Sequence, residues 1–285
     1  MKRLSLLLLL GSVAALLPAA APLALAQGTY MQIDYPGAAS TFCYGIDTAG
    51  DISGYYVDSS GTSHGFLLSG GIYTTIDYPG AQGTYVYGIN DEGQVVGFTA
   101  GIATIGFVYN VQAQTFTEIS HNGSLAPTSI NNGGEIAGYF AGGGFELVGS
   151  KFIRIKFPHS YANLVWGMSA SGEVVGDFIN VNSTYVSFLF DHGTYRRLSI
   201  PAEPYAQALG ISSSGTTVVG IYYVPSQGLA FLYQNETLQT LQFPGSADTG
   251  AIGINDAGEV VGVFYDASNI LHGFTWTPPA DAEKK

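Results

Sequence analysis

Hydrophobic residues in this chain occur in short runs separated by glycine-rich polar stretches, and the runs show no helical period. Residues 87–99, YGINDEGQVVGFT, show the arrangement: an apolar approach, a polar turn and a second apolar run. Valine, isoleucine, tyrosine and phenylalanine dominate the runs, and these residues favour pleated strands. The pattern therefore predicts an all-β protein of short strands and tight turns.

The same unit is written six times along the chain. Its most constant position is an isoleucine or methionine before the polar turn, found at Ile46, Ile89, Ile130, Met168, Ile211 and Ile254. A second landmark keeps step with the first, a phenylalanine at Phe66, Phe107, Phe145, Phe188, Phe231 and Phe274. Two landmarks with a common spacing of about 40 residues indicate a repeat architecture.

Each unit holds four strand-like runs, which in the second unit cover residues 85–90, 94–99, 106–111 and 115–119. The runs are apolar at successive positions, which suits a sheet covered on both faces by neighbouring sheets. We therefore predict a six-bladed β-propeller with four strands per blade. A β-solenoid and two smaller sheets are the competing folds.

The two ends of the repeat array have complementary phases. Residues 29–38, TYMQIDYPGA, match the fourth strand and exit loop IYTTIDYPGA of residues 72–81, whereas the last unit stops after its third strand. Pairing residues 30–35 with residues 273–276 would complete the sixth blade. We therefore predict that the N-terminal strand closes the ring, which removes the exposed sheet edges of an open array.

The polar stretches predict turns rather than ligand sites. A short polar residue follows the constant isoleucine or methionine in every unit: Asp47, Asn90, Asn131, Ser169, Ser212 and Asn255. A glycine follows closely, at Gly50, Gly93, Gly134, Gly172, Gly215 and Gly258. This pair of residue types builds hairpin turns with a glycine bulge. Another glycine recurs inside each second strand, such as Gly97, where we expect neighbouring blades to approach closely.

The repeated GIN, VVG and His-Gly-Phe segments resemble the extracellular HAF repeat family, named for a His-Ala-Phe signature. The matching positions are residues 64–66, 229–231 and 272–274, although none spells the full signature. The resemblance covers essentially the whole chain after its first residues. It implies a secreted repeat protein and carries no activity that could be transferred.

The first 26 residues predict a secretory signal peptide: Lys2 and Arg3, a leucine-rich run and an Ala24–Ala26 cleavage site. An uncleaved membrane anchor is the competing interpretation. We expect residues 27–279 to form one propeller domain, residues 280–285 to be a disordered tail, and no later segment to cross a membrane. The protein is then secreted, to the periplasm or the exterior.

After removal of the leader, 21 acidic residues face seven basic ones, a net charge of −14. This charge argues against a nucleic-acid partner. The basic residues are clustered, because none lies between Leu4 and Ser150. Arg154 and Arg197 align in the fourth strands of adjacent units, which predicts a positive strip on the rim. That strip would either dock an acidic polymer or protect the strand edges.

No motif in the sequence predicts catalysis. A nucleophile elbow, a zinc-binding helix, a calcium loop and a phosphate-binding loop are all missing from the sequence. Cys43 is the sole cysteine, so no internal disulfide forms. We therefore assign no catalytic residue and no cofactor.

Two histidines, His64 and His272, occupy the same position in the first and sixth units. Ring closure would make these units neighbours, and two imidazoles with Asp58 or Asp266 could then ligate a metal ion. The alternative is that each histidine hydrogen-bonds its own loop.

Ligands of propellers usually lie where loops converge over the channel. The loops between units bring together two repeat-equivalent pairs: Asp34, Tyr35, Asp77 and Tyr78. On the innermost strands, Tyr44, Tyr87 and Trp166 share one position. Aromatic faces beside carboxylates suit a carbohydrate, although the same rings could simply fill the space between blades.

These observations favour a binding module for a glycan, a cell-envelope component or another protein. An extracellular hydrolase or lyase acting through carboxylates or histidines over the channel is one alternative. A structural role in a surface layer or matrix is the other.

Overall fold

The computed structural model describes residues 26–101, 104–119, 121, 123–180, 184–201 and 206–280. The predicted leader, apart from Ala26, and the last five residues of the predicted tail lie outside these ranges. Among the described residues, no helix is long and apolar enough to span a bilayer.

The described strands form six antiparallel sheets of four strands, which we number as blades in chain order. Blades 1 and 2 comprise β2 to β9: Ser40–Ile46, Ile52–Val57, Ser63–Ser69, Ile72–Ile76, Gly83–Ile89, Gln94–Ala100, Gly106–Asn110 and Thr115–Ile119. Blades 3 and 4 comprise β10 to β17: Leu125–Ile130, Ile136–Phe140, Gly143–Val148, Lys151–Ile155, Ala162–Met168, Val174–Ile179, Tyr185–Asp191 and Thr194–Arg197. Blades 5 and 6 comprise β18 to β24 and β1: Ala206–Ile211, Thr217–Val224, Gln227–Gln234, Thr237–Leu241, Asp248–Ile254, Val260–Tyr265, Leu271–Thr277 and Thr29–Ile33.

The first strand of each blade lies innermost, and each innermost strand contacts those of the two neighbouring blades. The contact between β22 and β2 completes the circle. The fold is therefore the predicted six-bladed β-propeller, and the solenoid and two-sheet alternatives are wrong. The loops between blades and those between second and third strands share one end of the ring, the loop face. The turns between first and second strands lie at the other end, the turn face.

Strand β1 completes blade 6 by pairing with β24, from Thr29 opposite Thr277 to Ile33 opposite Gly273. The predicted closure is thus confirmed, although the pairing ends two residues before Tyr35. Ile33 is 5% exposed and packs with Cys43, Phe66 and Val261 between blades 6 and 1. The N-terminal strand therefore supplies core as well as backbone hydrogen bonds.

The hydrophobic core is divided among the interfaces between adjacent blades. The six landmark phenylalanines, one in each third strand, are all fully buried. Each of the six clusters of buried apolar residues joins two adjacent blades, such as the one that unites Leu67 of blade 1 with Val95 of blade 2. Because both faces of every sheet are covered, the strands have apolar residues at successive positions.

The second-strand glycines allow close backbone approach within their own blade. The prediction that they allow neighbouring blades to approach was therefore wrong. A Cβ on Gly97 would collide with the Tyr85 carbonyl oxygen, which belongs to the inner strand of the same blade, where a bulge shifts the register. Approach between blades depends instead on the glycine before the constant isoleucine. A Cβ on Gly210 would collide with the Ile252 carbonyl oxygen of the next blade.

The predicted turns are confirmed, and all six turn glycines have positive φ, for example 67° at Gly93. In blade 2, Gly93 N donates to Asn90 O at 3.3 Å, and Gln94 N donates to Asn90 Oδ1 at 2.9 Å. The polar residue thus caps the hairpin with its own side chain.

The turns are also hydrogen-bonded to one another around the ring. Asn90 Nδ2 donates to Asn131 O at 2.9 Å, and Asn255 Nδ2 donates to Asp47 O at 3.0 Å. The other links are Thr48 N to Asp91 Oδ1, Asn131 Nδ2 to Ser169 O, Ala170 N to Ser213 O and Ser214 N to Asp256 Oδ1. These bonds form a closed circuit, so the turn residues hold the blades together.

We expect the substitution Ile33→Ala to lower the free energy of unfolding by about 2–5 kcal/mol, because it opens a cavity in the interface that closes the ring. Met31→Ala, on the same strand but at a position that is 56% exposed, should change it by less than about 0.5 kcal/mol. Urea denaturation of both variants measures the difference. Equal, small effects would mean that β1 does not close the ring in solution.

Candidate functional site

His64 on the loop face is held between two carboxylates of its own blade. Its Nδ1 lies 2.9 Å from Asp77 Oδ2, and its Nε2 lies 3.5 Å from Asp58 Oδ2. Burial alone would lower the pKa of His64, but the carboxylates of Asp77 and Asp58 outweigh burial and raise it. His64 therefore clips the loop between β3 and β4 to the loop that leaves the blade.

His272 repeats this arrangement where the ring closes. Its Nδ1 lies 2.9 Å from Asp34 Oδ1, just beyond β1, and its Nε2 lies 3.6 Å from Asp266 Oδ2. The two nitrogens of His64 thus face Asp77 and Asp58, and those of His272 face Asp34 and Asp266. The two histidines therefore have separate sets of carboxylate partners. No group of three or more metal-ligating side chains suited to an ion occurs among the described residues. The structure supports the loop-clip interpretation and gives no support to a shared metal site.

The two loop tyrosines differ in how their rings are used. The Tyr35 ring stacks on Tyr56 with centroids 3.7 Å apart, and His64 stacks on Tyr56 at 5.1 Å. Because Tyr35 packs on Tyr56, that ring face is not available to a ligand. In blade 1, Tyr56 lies opposite Thr41 on the inner strand. In blade 2, Thr99 lies opposite Thr84 at the same position, so Thr99 corresponds to Tyr56. Tyr78 therefore does not have the equivalent stacking partner.

A groove of about 250 Å³ lies on the loop face between blades 1 and 2. His64, Asp77 and Tyr78 line it together with Pro79 and Thr84. The Tyr78 hydroxyl donates to Glu118 Oε1 at 2.5 Å, which fixes the ring at the groove. The predicted site residues His64, Asp77 and Tyr78 therefore meet at this groove. Asp34, His272 and Asp266 lie together at blade 6 instead.

A second cavity, of about 110 Å³, lies in the central channel and is bordered by the turns of the turn face. Tyr44, Tyr87 and Trp166 line it, and the exposed Asp91 and Asn132 border it among the turns. The three aromatic residues thus share one cavity, as predicted from their common position. From the sequence we expected ligand-binding groups to converge over the loop face. We did not predict this cavity near the turn face.

Five tyrosines concentrate on one side of the channel, and we call them the tyrosine cluster: Tyr44, Tyr55, Tyr85, Tyr87 and Tyr139. The ring centroids of Tyr44 and Tyr87 are 4.0 Å apart. Burial raises the pKa of Tyr44, Tyr55 and Tyr87, and it raises that of Tyr139 to about 12, with a further contribution from Tyr44. The phenols of these four tyrosines therefore keep their protons at physiological pH and can donate hydrogen bonds.

Asp177 of β15 is a buried carboxyl group beside this cavity. It is 1% exposed and accepts hydrogen bonds from Trp166 Nε1 at 3.0 Å and Ser187 Oγ at 3.2 Å. Gln207 Nε2 of blade 5 adds a longer bond at 3.4 Å. Burial raises the pKa of Asp177 to about 7, although these donors oppose the rise. The carboxyl group is thus neutral below that pH.

Asp177 was not among the site residues predicted from the sequence, although the repeat contains a signal for it. Register places it opposite Leu164, at the position after the second-strand glycine. The other units have aromatic or aliphatic residues there: Tyr55, Phe98, Tyr139, Ile221 and Val263. A single carboxylate at an otherwise apolar repeat position was the informative deviation.

Comparison with known proteins shows the fold alone. No protein-family model and no curated protein matches this sequence. TolB from Acinetobacter baumannii is similar at a TM-score of 0.53 and 15% identity, covering 73% of this chain and 52% of TolB, so this chain spans about half of TolB. The β-propeller domain of the Trilobed protease from Pyrococcus furiosus gives 0.53 and 10%, covering 81% and 79%. AofleA from Arthrobotrys oligospora gives 0.51 and 13%, covering 87% and 88%.

We expect Asp177→Asn to make stability less dependent on pH. The folded protein keeps a proton on Asp177 up to about pH 7, whereas the unfolded chain releases it near pH 4. Wild-type stability should therefore fall as pH rises through this window, by roughly 1–4 kcal/mol relative to the variant. Chemical denaturation at pH 4.5, 6 and 8 measures the gap. A gap that does not change with pH would contradict the raised pKa.

Proposed function

We propose that this protein is an exported, non-catalytic binding module that holds a carbohydrate group in its central channel. One observation carries the proposal: the channel cavity combines Tyr44, Tyr87 and Trp166 with polar turn residues around its border. The partly exposed Tyr44 and Trp166 rings supply apolar faces for a sugar ring, with the 3% exposed Tyr87 packed behind Tyr44, while amide and carboxylate groups pair with the sugar hydroxyls.

The electrostatics of the channel fit a neutral ligand. Burial raises the pKa of the Tyr44 and Tyr87 phenols, which are therefore protonated, and the five described lysines and arginines all lie in or beside outer strands. Asp177 is also neutral below about pH 7 and already accepts hydrogen bonds from Trp166 and Ser187. A neutral, hydroxyl-rich group therefore suits the channel better than an anion.

The groove between blades 1 and 2 is a candidate for a second contact. The volumes of the groove, about 250 Å³, and of the channel cavity, about 110 Å³, are both below the roughly 300–1,000 Å³ usual for small-molecule sites, so each suits only one small group. The Asp77 carboxylate and the Tyr78 ring are the combination that the sequence suggested for a carbohydrate. The groove and the channel cavity lie on opposite faces, so one ligand chain would not fill both at once.

We expect the protein to bind members of a neutral glycan array at low salt. Tyr44→Phe should weaken that binding about 2- to 10-fold, because it removes one hydroxyl from the cavity while keeping the ring. Tyr109→Phe is the matched control, since Tyr109 packs against Phe116 outside the channel. Isothermal titration calorimetry measures both. A blank array, or equal losses in the two variants, would contradict the proposed site.

Export is part of the proposal and rests on the leader of residues 1–26. Expression of the full chain in a bacterial host should yield a protein outside the cytoplasm that begins at Gln27. N-terminal sequencing measures this, and substitution of Ala24 and Ala26 by Arg should block the processing. A cytoplasmic product that retains Met1 would contradict export.

An extracellular hydrolase or lyase is the second candidate, and Asp177 is the observation that favours it. A carboxyl group with a pKa of about 7 is suited to proton transfer at neutral pH. Against this role, Asp177 is almost inaccessible. Reducing-end assays on polysaccharides distinguish the two functions: turnover by the wild type that Asp177→Asn abolishes would establish the enzyme.

A further inference from the structure

All described basic residues lie on one sector of the outer rim. Of the nine lysines and arginines in the sequence, the five within the described residues are Lys151, Arg154, Lys156, Arg196 and Arg197. They belong to the outermost strands β13 and β17 of the adjacent blades 3 and 4, or directly follow β13. We call these five residues the basic rim. All five are exposed.

Contacts within the basic rim join its two strands and hold the Arg154 side chain. Lys156 N of blade 3 donates to the Tyr195 hydroxyl of blade 4 at 2.8 Å. The Arg154 guanidinium donates to Gly142 O and lies 5.6 Å from the Phe140 ring centroid. Register places Arg154 opposite Phe145 and Arg197 opposite Phe188, which confirms that they are equivalent. The rim is therefore partly organised before any partner binds.

Protection of strand edges does not account for this placement. The outermost strands of the other four blades are TYMQI, IYTTI, TFTEI and TLQTL, which contain one acidic residue and no basic one. If charge were needed to protect an outer edge, these four edges would need it as well. The cations are concentrated in one sector of an otherwise strongly acidic protein.

We propose that the basic rim binds an acidic polysaccharide whose carboxylates repeat along an extended chain. Lys151 and Arg154 lie about 10 Å apart along β13 on alternate sides of the strand, and Lys156 directly follows its end, so cations are distributed along the length of this outer edge. Arginine guanidinium groups pair with carboxylates through two parallel hydrogen bonds. The surface lies on the outer wall of the ring, apart from the channel, and this proposal does not depend on the channel binding a glycan.

Other anionic partners fit less well. Nucleic acid has a dense phosphate charge that a protein of net charge −12 would repel. A lipid surface would need exposed large apolar residues on these outer strands, whereas Tyr161 and Tyr185 of this sector lie off them, and Met31 and Ile72 lie on the outer strands of blades 6 and 1. A second copy would offer the carboxylates of its turn face, but Asp91 is already hydrogen-bonded to Thr48 and Asn132.

The test is affinity electrophoresis and surface binding to polygalacturonate and alginate, with dextran and duplex DNA as comparison polymers. At about 20 mM salt the wild type should bind the two polyuronates and not dextran, and about 300 mM salt should abolish the binding. The double variant Arg154→Ser and Arg197→Ser should bind at least tenfold more weakly. Because Arg154 contacts Gly142, the variant Lys151→Ser and Arg196→Ser provides a second measurement, with the same direction expected.

Thr74→Ser with Thr75→Ser is the matched control, since register makes these exposed residues of blade 1 equivalent to Arg196 and Arg197. It should leave polyuronate binding unchanged. Failure of the wild type to bind polyuronates, unchanged binding by both rim variants or preferential binding to DNA would overturn the proposal. Salt-sensitive self-association that the rim variants abolish, without polyuronate binding, would identify a second copy as the partner instead. Tyr44→Phe should not affect this binding, which separates it from the channel function.

Discussion

The antiparallel pairing of β1 with β24 is the constraint on which the rest of the structure depends. Without it, blade 6 would lack its outermost strand, and the interface between blades 6 and 1 would lose Ile33. Every blade buries both faces against neighbours, so an open end would expose a core-forming face to water. Closure by β1 and β24 therefore completes the sixth blade, and the number of blades sets how closely the inner strands approach around the channel.

The inner strands are held by two features that the repeat supplies in every blade. Glycines such as Gly210 allow the backbones of neighbouring blades to meet, and the polar turns bond to one another around the turn face. The resulting channel leaves a cavity of only about 110 Å³, so a few side chains decide its character. The same residues that stabilise the ring thus border the candidate site, which makes a strict division between structural and binding roles impossible here.

Repetition also shows where the chain departs from its own pattern. Asp177 replaces an apolar residue, Thr99 replaces a stacking ring, and the arginines of β13 and β17 replace neutral residues or an acidic one. The first departure lies beside the channel cavity, the second beside the groove and the third on the outer rim. In a repeat protein whose units otherwise satisfy the same packing, such departures are the positions where chemistry specific to the protein can reside.

The sequence by itself determined the blades, the order of strands, the turns and the closure, because all of these follow from local periodicity and from the complementary phases of the two ends. It also grouped Tyr44, Tyr87 and Trp166 correctly, since repeat-equivalent residues of the innermost strands must surround one channel. Only the tertiary structure decided which side chains meet across blades. The Asp177 carboxyl accepts hydrogen bonds from the indole of Trp166 in its own blade and from the amide of Gln207 in the next blade, and no spacing in the chain predicts the contact with Gln207. The backbone that each second-strand glycine contacts was likewise decided by the bulge in the inner strand of its own blade. A bulge depends on the register of two paired strands, so neither strand alone predicts it.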